Sequence, residues 1–309
     1  MKTTIKFLII CLICFKSNAQ EVTKEYYDNG QLKSIGKGKN PDSGGYTLNP
    51  NAKGPEGEWK FYYENGQLER IGHYDGQFET GLWKYYYENG KLAREGSWER
   101  HAVFYVRKSG IWKEYHKNGN KLAEGSYSYN EFKGNLKNGE WRFYYENGKL
   151  SHEINFLDDI PTKEYKQYYE NGKVYQTGEM EDGNQVGQWK MYYENGKLYT
   201  SGEMEDGNQV GQWEMYYENG ELQQIGELIE GKQSGEWKFY YENGQLNQTS
   251  IWEDGKLMNF TEFYDPNGNS MDISNLNKGN GFIKHYNTDG TLFQLTVKDG
   301  VVIQNEPVD

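Results

Sequence analysis

The sequence predicts an all-β protein of tandem β-hairpins that form one elongated, twisted antiparallel sheet. Three observations support this fold class. Glycines preceded by Asn or Asp recur, mostly every 24 residues. The residues on both sides alternate between apolar and polar, and Asn-Gly in that setting is a strong hairpin signal. Aromatic residues make up 16% of the chain, whereas disordered chains are poor in them. We therefore expect an ordered repeat array.

The spacing of the turn glycines sets the domain organisation within residues 20–300. Successive intervals of 36, 24, 29, 29, 24, 24, 24, 24, 24 and 22 residues define eleven hairpin repeats. The first long interval predicts an insert at 37–55. The last repeats lack the usual Trp, so we expect residues 258–300 to cap the array and 301–309 to form a tail. The turn glycines are Gly30, Gly66, Gly90, Gly119, Gly148, Gly172, Gly196, Gly220, Gly244, Gly268 and Gly290.

The register of each hairpin follows if its Asn and Gly are the two central residues of a type I′ turn. In the repeat of Gly66, Tyr62 then opposes Glu69, and Trp59 opposes Gly72. Side chains alternate between the two faces of a strand, so one face is apolar and the other mostly polar. We expect the ring of Trp59 to cover the bare backbone of Gly72.

A tryptophan stands seven residues before the turn glycine in seven repeats. The favoured interpretation is a structural core, because large rings replace the missing aliphatic residues. The alternative is a stacking platform for sugar rings or a peptide. These residues are Trp59, Trp83, Trp112, Trp141, Trp189, Trp213 and Trp237.

A tyrosine stands four residues before every turn glycine, on the predicted polar face. One ring per hairpin would form a stripe with steps of about 10 Å, twice the strand spacing. One interpretation is that the rings only shield the strands. The other is an extended binding surface on which many weak contacts sum. The candidate binding residues are Tyr62, Tyr86, Tyr115, Tyr144, Tyr168, Tyr192, Tyr216 and Tyr240.

The first 19 residues have the pattern of a signal peptide. Lys2 and Lys6 flank an apolar stretch, and Ser17 and Ala19 provide the small residues before a predicted cleavage after Ala19. Both cysteines lie in this segment, which predicts an exported mature chain without cysteine. Loss of its three lysines leaves 31 basic and 46 acidic residues, a balance of −15. That charge opposes binding to nucleic acid, and no later apolar stretch has the length of a transmembrane helix.

No catalytic motif is recognisable. The five histidines are scattered, and the sequence has no nucleophile elbow, P-loop or dinucleotide fingerprint. The acidic stretches around Asp182-Gly183 and Asp206-Gly207 match no calcium-loop spacing and are typical of turns between hairpins. We therefore expect no enzyme activity, no cofactor and no metal site.

The repeated unit G-x-W-x-x-Y-Y-E-N-G-x-L-x-x-x-G, as in Gly57 to Gly72 and Gly187 to Gly202, resembles the bacterial variant of the MORN repeat. The resemblance spans residues 21–300. It implies tandem hairpins in an elongated sheet and a role as an interaction scaffold. Many bacterial members are classed as antitoxins of toxin-antitoxin systems, and the family supplies no catalytic motif.

These observations predict an exported, non-catalytic scaffold that binds a protein. One form of that role is antitoxin-like or immunity-like neutralisation of a toxin. A glycan-binding or cell-wall-binding module is the alternative, motivated by repeated aromatic residues on an exported chain. A third possibility is a structural spacer that acts only through self-association.

Overall fold

The computed structural model describes residues 22–42, 54–102, 105–271, 276–286 and 291–308. These residues form 23 β-strands. The predicted signal peptide and most of the predicted insert lie outside the described residues. At the start of the insert, Asn40 donates a hydrogen bond to Ser34, and Asp42 pairs with Arg70.

The strands follow one another along the chain with short connections. They are β1 Val22–Tyr26, β2 Leu32–Lys37, β3 Glu56–Tyr62, β4 Leu68–Asp75, β5 Phe78–Tyr86, β6 Leu92–Ala102, β7 Tyr105–Tyr115, β8 Lys121–Asn130, β9 Gly134–Tyr144, β10 Leu150–Leu157, β11 Ile160–Tyr168, β12 Val174–Glu181, β13 Asn184–Tyr192, β14 Leu198–Glu205, β15 Asn208–Tyr216, β16 Leu222–Ile229, β17 Lys232–Tyr240, β18 Leu246–Glu253, β19 Lys256–Phe263, β20 Leu276–Asn277, β21 Asn280–Tyr286, β22 Leu292–Lys298 and β23 Val301–Pro307.

Strands β1 to β19 form one antiparallel sheet of 19 strands, in which each strand pairs with the next in sequence. This confirms the predicted all-β array of consecutive hairpins. Nine hairpins, β1–β2 through β17–β18, carry the turn glycines from Gly30 to Gly244. The two shorter inserts lengthen β6, β7, β8 and β9 to 10 or 11 residues.

The predicted type I′ turn at Asn-Gly is wrong. In the repeat of Gly66, the amide of Gly66 donates to the carbonyl of Tyr63 at 2.9 Å, and the amide of Tyr63 donates to Gln67 at 2.9 Å. Only Gly66 has a positive φ, +82°. The connection is therefore a three-residue loop of a type I turn and a glycine bulge. Consequently Tyr62 pairs with Leu68 instead of Glu69.

Two-residue turns with positive φ occur instead between the hairpins. Asp182 and Gly183 have φ values of 48° and 86°, and their flanking residues Glu181 and Asn184 pair directly. Positive φ at both central residues is the requirement of a type I′ turn. The acidic stretch around Asp182 is thus a connection between hairpins.

Away from the turn, the predicted register is correct, because Trp59 pairs with Gly72. The ring that covers Gly72, however, is that of Trp83 in the next repeat. A Cβ on Gly72 would lie 2.1 Å from the ring of Trp83. Each covered glycine thus receives a Trp from the following hairpin. The pairs are Gly36–Trp59, Gly72–Trp83, Gly96–Trp112, Gly125–Trp141, Gly178–Trp189, Gly202–Trp213 and Gly226–Trp237.

A second glycine, two residues before the Trp, allows this reach into the preceding repeat. Gly211, two residues before Trp213, has a φ of +64°, and the pairing of β14 with β15 is irregular there. The indole Nε1 of Trp213 donates to the carbonyl of Glu203, which follows the covered Gly202. Lys163 occupies the equivalent position with a φ of 59° in the repeat where Tyr165 replaces the Trp.

The seven tryptophans form the core of the sheet, with 0–2% of their surfaces exposed. Other aromatic rings on the same face complete their burial. Tyr74 packs edge-on against Trp83 at 5.1 Å between ring centroids, and Tyr127 does the same against Trp141 at 5.0 Å. We call this side of the sheet the tryptophan face.

Hydrogen bonds along the turn edge join consecutive repeats. The second Tyr of each Tyr-Tyr pair donates its hydroxyl to the carbonyl of the first Tyr in the next repeat, as Tyr193 does to Tyr216 at 2.6 Å. His116 takes the same place once and lies 2.9 Å from the carbonyl of Tyr144. The donors are Tyr27, Tyr63, Tyr87, Tyr145, Tyr169, Tyr193, Tyr217 and Tyr241.

The turn asparagine has two functions in the array. The Oδ1 of Asn195 accepts a hydrogen bond from the amide of Lys197, which fixes its own turn. The Nδ2 of Asn195 donates to the carbonyl of Glu218 in the next repeat at 3.2 Å. The turn motif therefore both closes a hairpin and stacks it on its neighbour.

The C-terminal region does not continue the array. Strands β20 to β23 form a separate sheet of four strands, and the predicted tail contributes β23 to it. This sheet packs on the end of the long one through Leu257, Phe260, Leu276, Ile283 and Val297. The amide of Leu257 donates to the carbonyl of Gly300 at 3.0 Å. The last strand of the long sheet is thereby covered, as predicted for a cap.

Candidate functional site

The candidate site is the side of the sheet opposite the tryptophans, which we call the tyrosine face. It carries the residues four, six and eight positions before each turn glycine, for example Tyr86, Lys84 and Leu82 on β5. These three side chains line one groove, whereas Trp83 between them is buried on the other side. Alternation along the strand positions them together.

All eight candidate tyrosines are half-buried, so each presents part of its ring to solvent. They occupy equivalent positions on β3, β5, β7, β9, β11, β13, β15 and β17. They form a single row across the long sheet, one per hairpin, as expected from the sequence. The row consists of Tyr62, Tyr86, Tyr115, Tyr144, Tyr168, Tyr192, Tyr216 and Tyr240.

Three central tyrosines donate hydrogen bonds to glutamates of the preceding repeat. The hydroxyl of Tyr115 lies 3.0 Å from Glu95, that of Tyr144 lies 2.6 Å from Glu124, and that of Tyr168 lies 2.5 Å from Glu153. Hydrogen bonds to a charged carboxylate are strong. The rings in this part of the row are therefore held in fixed positions.

These contacts shift the tyrosine pKa values upward. Burial, followed by the hydrogen bond to the carboxylate, raises the pKa of Tyr115 and of Tyr144 to about 12. The same two causes raise the pKa of Tyr168. The hydrogen bond to Glu214 on its own strand, followed by burial, raises the pKa of Tyr216 to about 12. All four remain hydroxyl donors at neutral pH.

The other four tyrosines have open hydroxyls. Within the part of the chain that the structure describes, no protein group accepts a hydrogen bond from Tyr62, Tyr86, Tyr192 or Tyr240. Their backbone carbonyls are instead used by the neighbouring repeat. These hydroxyls are thus free to bind a ligand.

A row of cations runs beside the tyrosines, and sequence reasoning missed it. Eight of the nine hairpins have Lys or Arg six residues before the turn glycine, and Glu214 is the exception. Repetition at that position was the signal that could have revealed it. The cations are Lys24, Lys60, Lys84, Lys113, Arg142, Lys166, Lys190 and Lys238.

Acidic residues on the same strand neutralise four of these cations. Glu58 lies 3.2 Å from Lys60, Glu164 lies 2.6 Å from Lys166, and equivalent pairs involve Arg142 and Lys238. These ion pairs are largely exposed, so each contributes little stability. Their main effect is to cancel charge along the row.

Two grooves on the tyrosine face have equivalent positions in distant repeats. One has a volume of about 440 Å³ and is lined by Ile71, Gly72, Leu82 and Lys84, among others. The other, about 500 Å³, is lined by Ile225, Gly226, Glu227, Glu236, Gln212 and Lys238. In both, an Ile and a bare glycine backbone adjoin a lysine of the next hairpin. The repeat therefore builds the groove.

The tryptophan face offers no comparable surface, because burial of the seven rings leaves them no free side for a sugar or peptide. Across the described ranges, no three His, Cys, Asp or Glu side chains are grouped so that they could hold a metal ion. The same ranges contain no helix of the length and apolar character needed to span a bilayer.

Comparison with solved structures finds low similarity. The crystal structure of TcdB2-TccC3-Cdc42 shares 13% identity over 91% of this chain and 16% of that chain, with a TM-score of 0.15. The Photorhabdus luminescens Tc holotoxin pore shares 12% identity over 88% of this chain and 17% of that chain, with a TM-score of 0.16. This chain spans about a sixth of their length, and such TM-scores have no bearing on its fold or function. A search of curated proteins finds no match.

A family model matches nine consecutive segments of the chain. They correspond to the nine hairpins of the long sheet, and the capping sheet lies beyond them. The model is that of the MORN repeat variant, and its matches are 22–40, 55–75, 79–100, 108–129, 137–158, 161–182, 185–206, 209–229 and 233–254. The protein belongs to the family of MORN repeat variant proteins.

Proposed function

We propose that this protein is an exported, non-catalytic scaffold that binds a partner protein across its tyrosine face. The observation that carries the proposal is the regular row of half-exposed tyrosines beside a row of cations, repeated along the long sheet. MORN repeats generally serve as protein-interaction modules. Equivalent contacts in several repeats can sum to a firm complex even when each is weak.

Export enters the proposal through the sequence. The charged start, apolar stretch and small residues before Ala19 have the pattern of a signal peptide. We further propose that the partner is a toxin that acts outside the cytoplasm, which the protein neutralises in the manner of an antitoxin or immunity protein. The family resemblance motivates this narrower role.

Affinity capture from the native envelope fraction tests protein binding. The bait is the chain from Gln20 onward, and the matched bait carries Tyr192→Ser and Tyr216→Ser. We expect one stoichiometric protein on the first bait and its loss from the second, with both baits giving the same circular dichroism spectrum. Equal recovery on both baits would remove the tyrosine face from the proposal.

The captured material also tests the alternative role. Enrichment of a cell-wall polysaccharide without a stoichiometric protein would support a glycan-binding module instead. Expression of the captured protein, alone and with this chain, tests neutralisation. Toxicity that coexpression never relieves would contradict the antitoxin-like role while leaving protein binding intact.

A further inference from the structure

Two neighbouring hairpins break the charge pattern of the tyrosine face. Eight residues before the turn glycine, most repeats have Glu or Gln, but β5 has Leu82 and β7 has Ile111. Leu82 is 53% exposed and Ile111 is 61% exposed. Two large aliphatic side chains at equivalent positions in consecutive repeats are thus left open to solvent, which marks an interaction site.

The same replacement leaves two cations without a carboxylate on their own strand. Lys84 has only Glu95 of the paired strand within ion-pair distance, at 3.8 Å. Lys113 has no carboxylate within that distance among the described residues. In the repeats that retain Glu, the same-strand pair closes to 2.6–3.4 Å. This part of the face therefore attracts an anionic ligand more strongly than its neighbours do.

The two strands present these side chains in matching order. Along β5 the order is Leu82, Lys84 and Tyr86, and along β7 the equivalent order begins with Ile111. Because β6 lies between them, equivalent side chains are separated by two strand spacings, about 9.6 Å. Three residues of a polyproline II segment advance about 9.3 Å and return to the same orientation.

We propose that Leu82, Lys84 and Tyr86 with Ile111, Lys113 and Tyr115 form a docking site for an extended acidic segment of a partner protein. Carboxylates three residues apart bind the two lysines. The aliphatic side chains and the tyrosine rings pack against the residues between them. The ring of Tyr115 is already fixed by its hydrogen bond to Glu95, which limits the ordering required on binding. The inference rests on the proposed protein-binding function and specifies the partner's chemistry.

Labelled peptides test the charge period. The probe is a blocked dodecamer of repeated Glu-Pro-Pro, and the comparison peptide has the same composition with Glu at every second position of its first half. We expect fluorescence anisotropy to show tighter binding of the first peptide by about tenfold, with weaker binding as salt is added. Equal affinities for the two peptides would contradict the proposed spacing.

Variants of the intact protein test the site. Lys84→Glu with Lys113→Glu should weaken binding of the Glu-Pro-Pro peptide by at least about tenfold. Lys190→Glu, in the same row but in a distant repeat, should change it less than about twofold. An equal effect of Lys190→Glu would show that charge acts without a site. Circular dichroism checks that all variants fold.

A further comparison separates this inference from the proposed function. If the partner captured from the envelope binds the Lys84→Glu, Lys113→Glu variant as well as it binds the wild type, the acidic docking site is wrong and the scaffold function stands. Binding of polygalacturonate with the same dependence on Lys84 and Lys113, without binding of either peptide, would assign the site to an acidic polysaccharide.

Discussion

The indole ring of Trp213 lies over Gly202 of the preceding repeat, where a Cβ would come within 2.2 Å of the ring. The ring's Nε1 donates to the carbonyl of Glu203 at 3.2 Å, so one side chain fills the glycine gap and satisfies a backbone acceptor. The same contact recurs at the other core tryptophans. Each hairpin is thereby joined to the one before it.

Gly202→Val should destabilise the array because the added side chain overlaps the ring of Trp213. We expect a loss of about 1–3 kcal/mol, the usual range for overpacking, or more if the backbone cannot move. Urea unfolding measures it, with Ser201→Val on the opposite face as the matched substitution. An unchanged unfolding midpoint would contradict the described packing.

A double-mutant cycle then identifies the covering ring. Gly202→Ala should couple with Trp213→Phe by about 1 kcal/mol or more and additively with Trp189→Phe, because residues in contact show interaction energies. Trp189 pairs with Gly202 across the hairpin, but its ring covers Gly178. Stronger coupling with Trp189 would instead support the cover within one hairpin that the sequence predicts.

Tyr193→Phe should weaken the contact between repeats, because its hydroxyl donates to the carbonyl of Tyr216 at 2.6 Å. We expect a loss of about 0.5–1.5 kcal/mol, typical of one hydrogen bond. The adjacent Tyr192→Phe removes a hydroxyl without a described protein acceptor and should be nearly neutral. Denaturant unfolding and amide exchange near Tyr216 distinguish the two variants, and equal losses would exclude the edge hydrogen bonds as a source of stability.

Ile283→Ala should loosen the C-terminal cap. Ile283 is 2% exposed in the cluster that joins the two sheets, so its truncation should cost about 2–5 kcal/mol. Its neighbour Phe282 is 41% exposed, and Phe282→Ala is the matched control. We expect size-exclusion chromatography to show self-association only for Ile283→Ala, through the uncovered edge of β19. A monomeric, destabilised variant would limit the cap to a stabilising role.

The hydrogen bond from Tyr144 to Glu124 should make part of the stability sensitive to alkali. Burial and this bond raise the pKa of Tyr144 to about 12, above the value of about 10 for a free tyrosine. A raised folded-state pKa means that the stabilisation is complete below about pH 10 and is lost as pH rises towards about 12. Glu124→Gln should lower the pKa of Tyr144, measured by NMR of ring-labelled tyrosine. Tyr168 serves as the control, because its carboxylate partner is Glu153. A shift of both tyrosines, or of neither, would contradict the local pairing.

The hairpin array could be predicted from the sequence because glycine spacing and strand alternation are local signals. Local signals do not distinguish a type I′ turn from a type I turn with a glycine bulge, since Asn-Gly suits both. Here the second arrangement is stabilised by contacts between repeats, such as Asn195 Nδ2 to the carbonyl of Glu218. Those contacts depend on stacking, which lies outside a single repeat.

The covering of glycines was predicted in kind but assigned to the wrong ring, because the positive φ of Gly211 and its bulge shift the following strand. The candidate tyrosines could be placed from register alone. The sequence did not reveal which hydroxyls are used. That depends on glutamates one repeat away, such as Glu95 for Tyr115.

Site-specific blocking most directly tests the claim that the tyrosine face binds the partner. The chain from residue 20 contains no cysteine, so single cysteines can be placed at Lys190 on that face or at the exposed turn residue Glu194. Each is coupled to a bulky maleimide, and affinity for the partner captured from the envelope is measured by calorimetry. The account predicts that the label at Lys190 abolishes binding and that the label at Glu194 leaves it unchanged. Unchanged binding with the label at Lys190, or loss only with the label at Glu194, would contradict it.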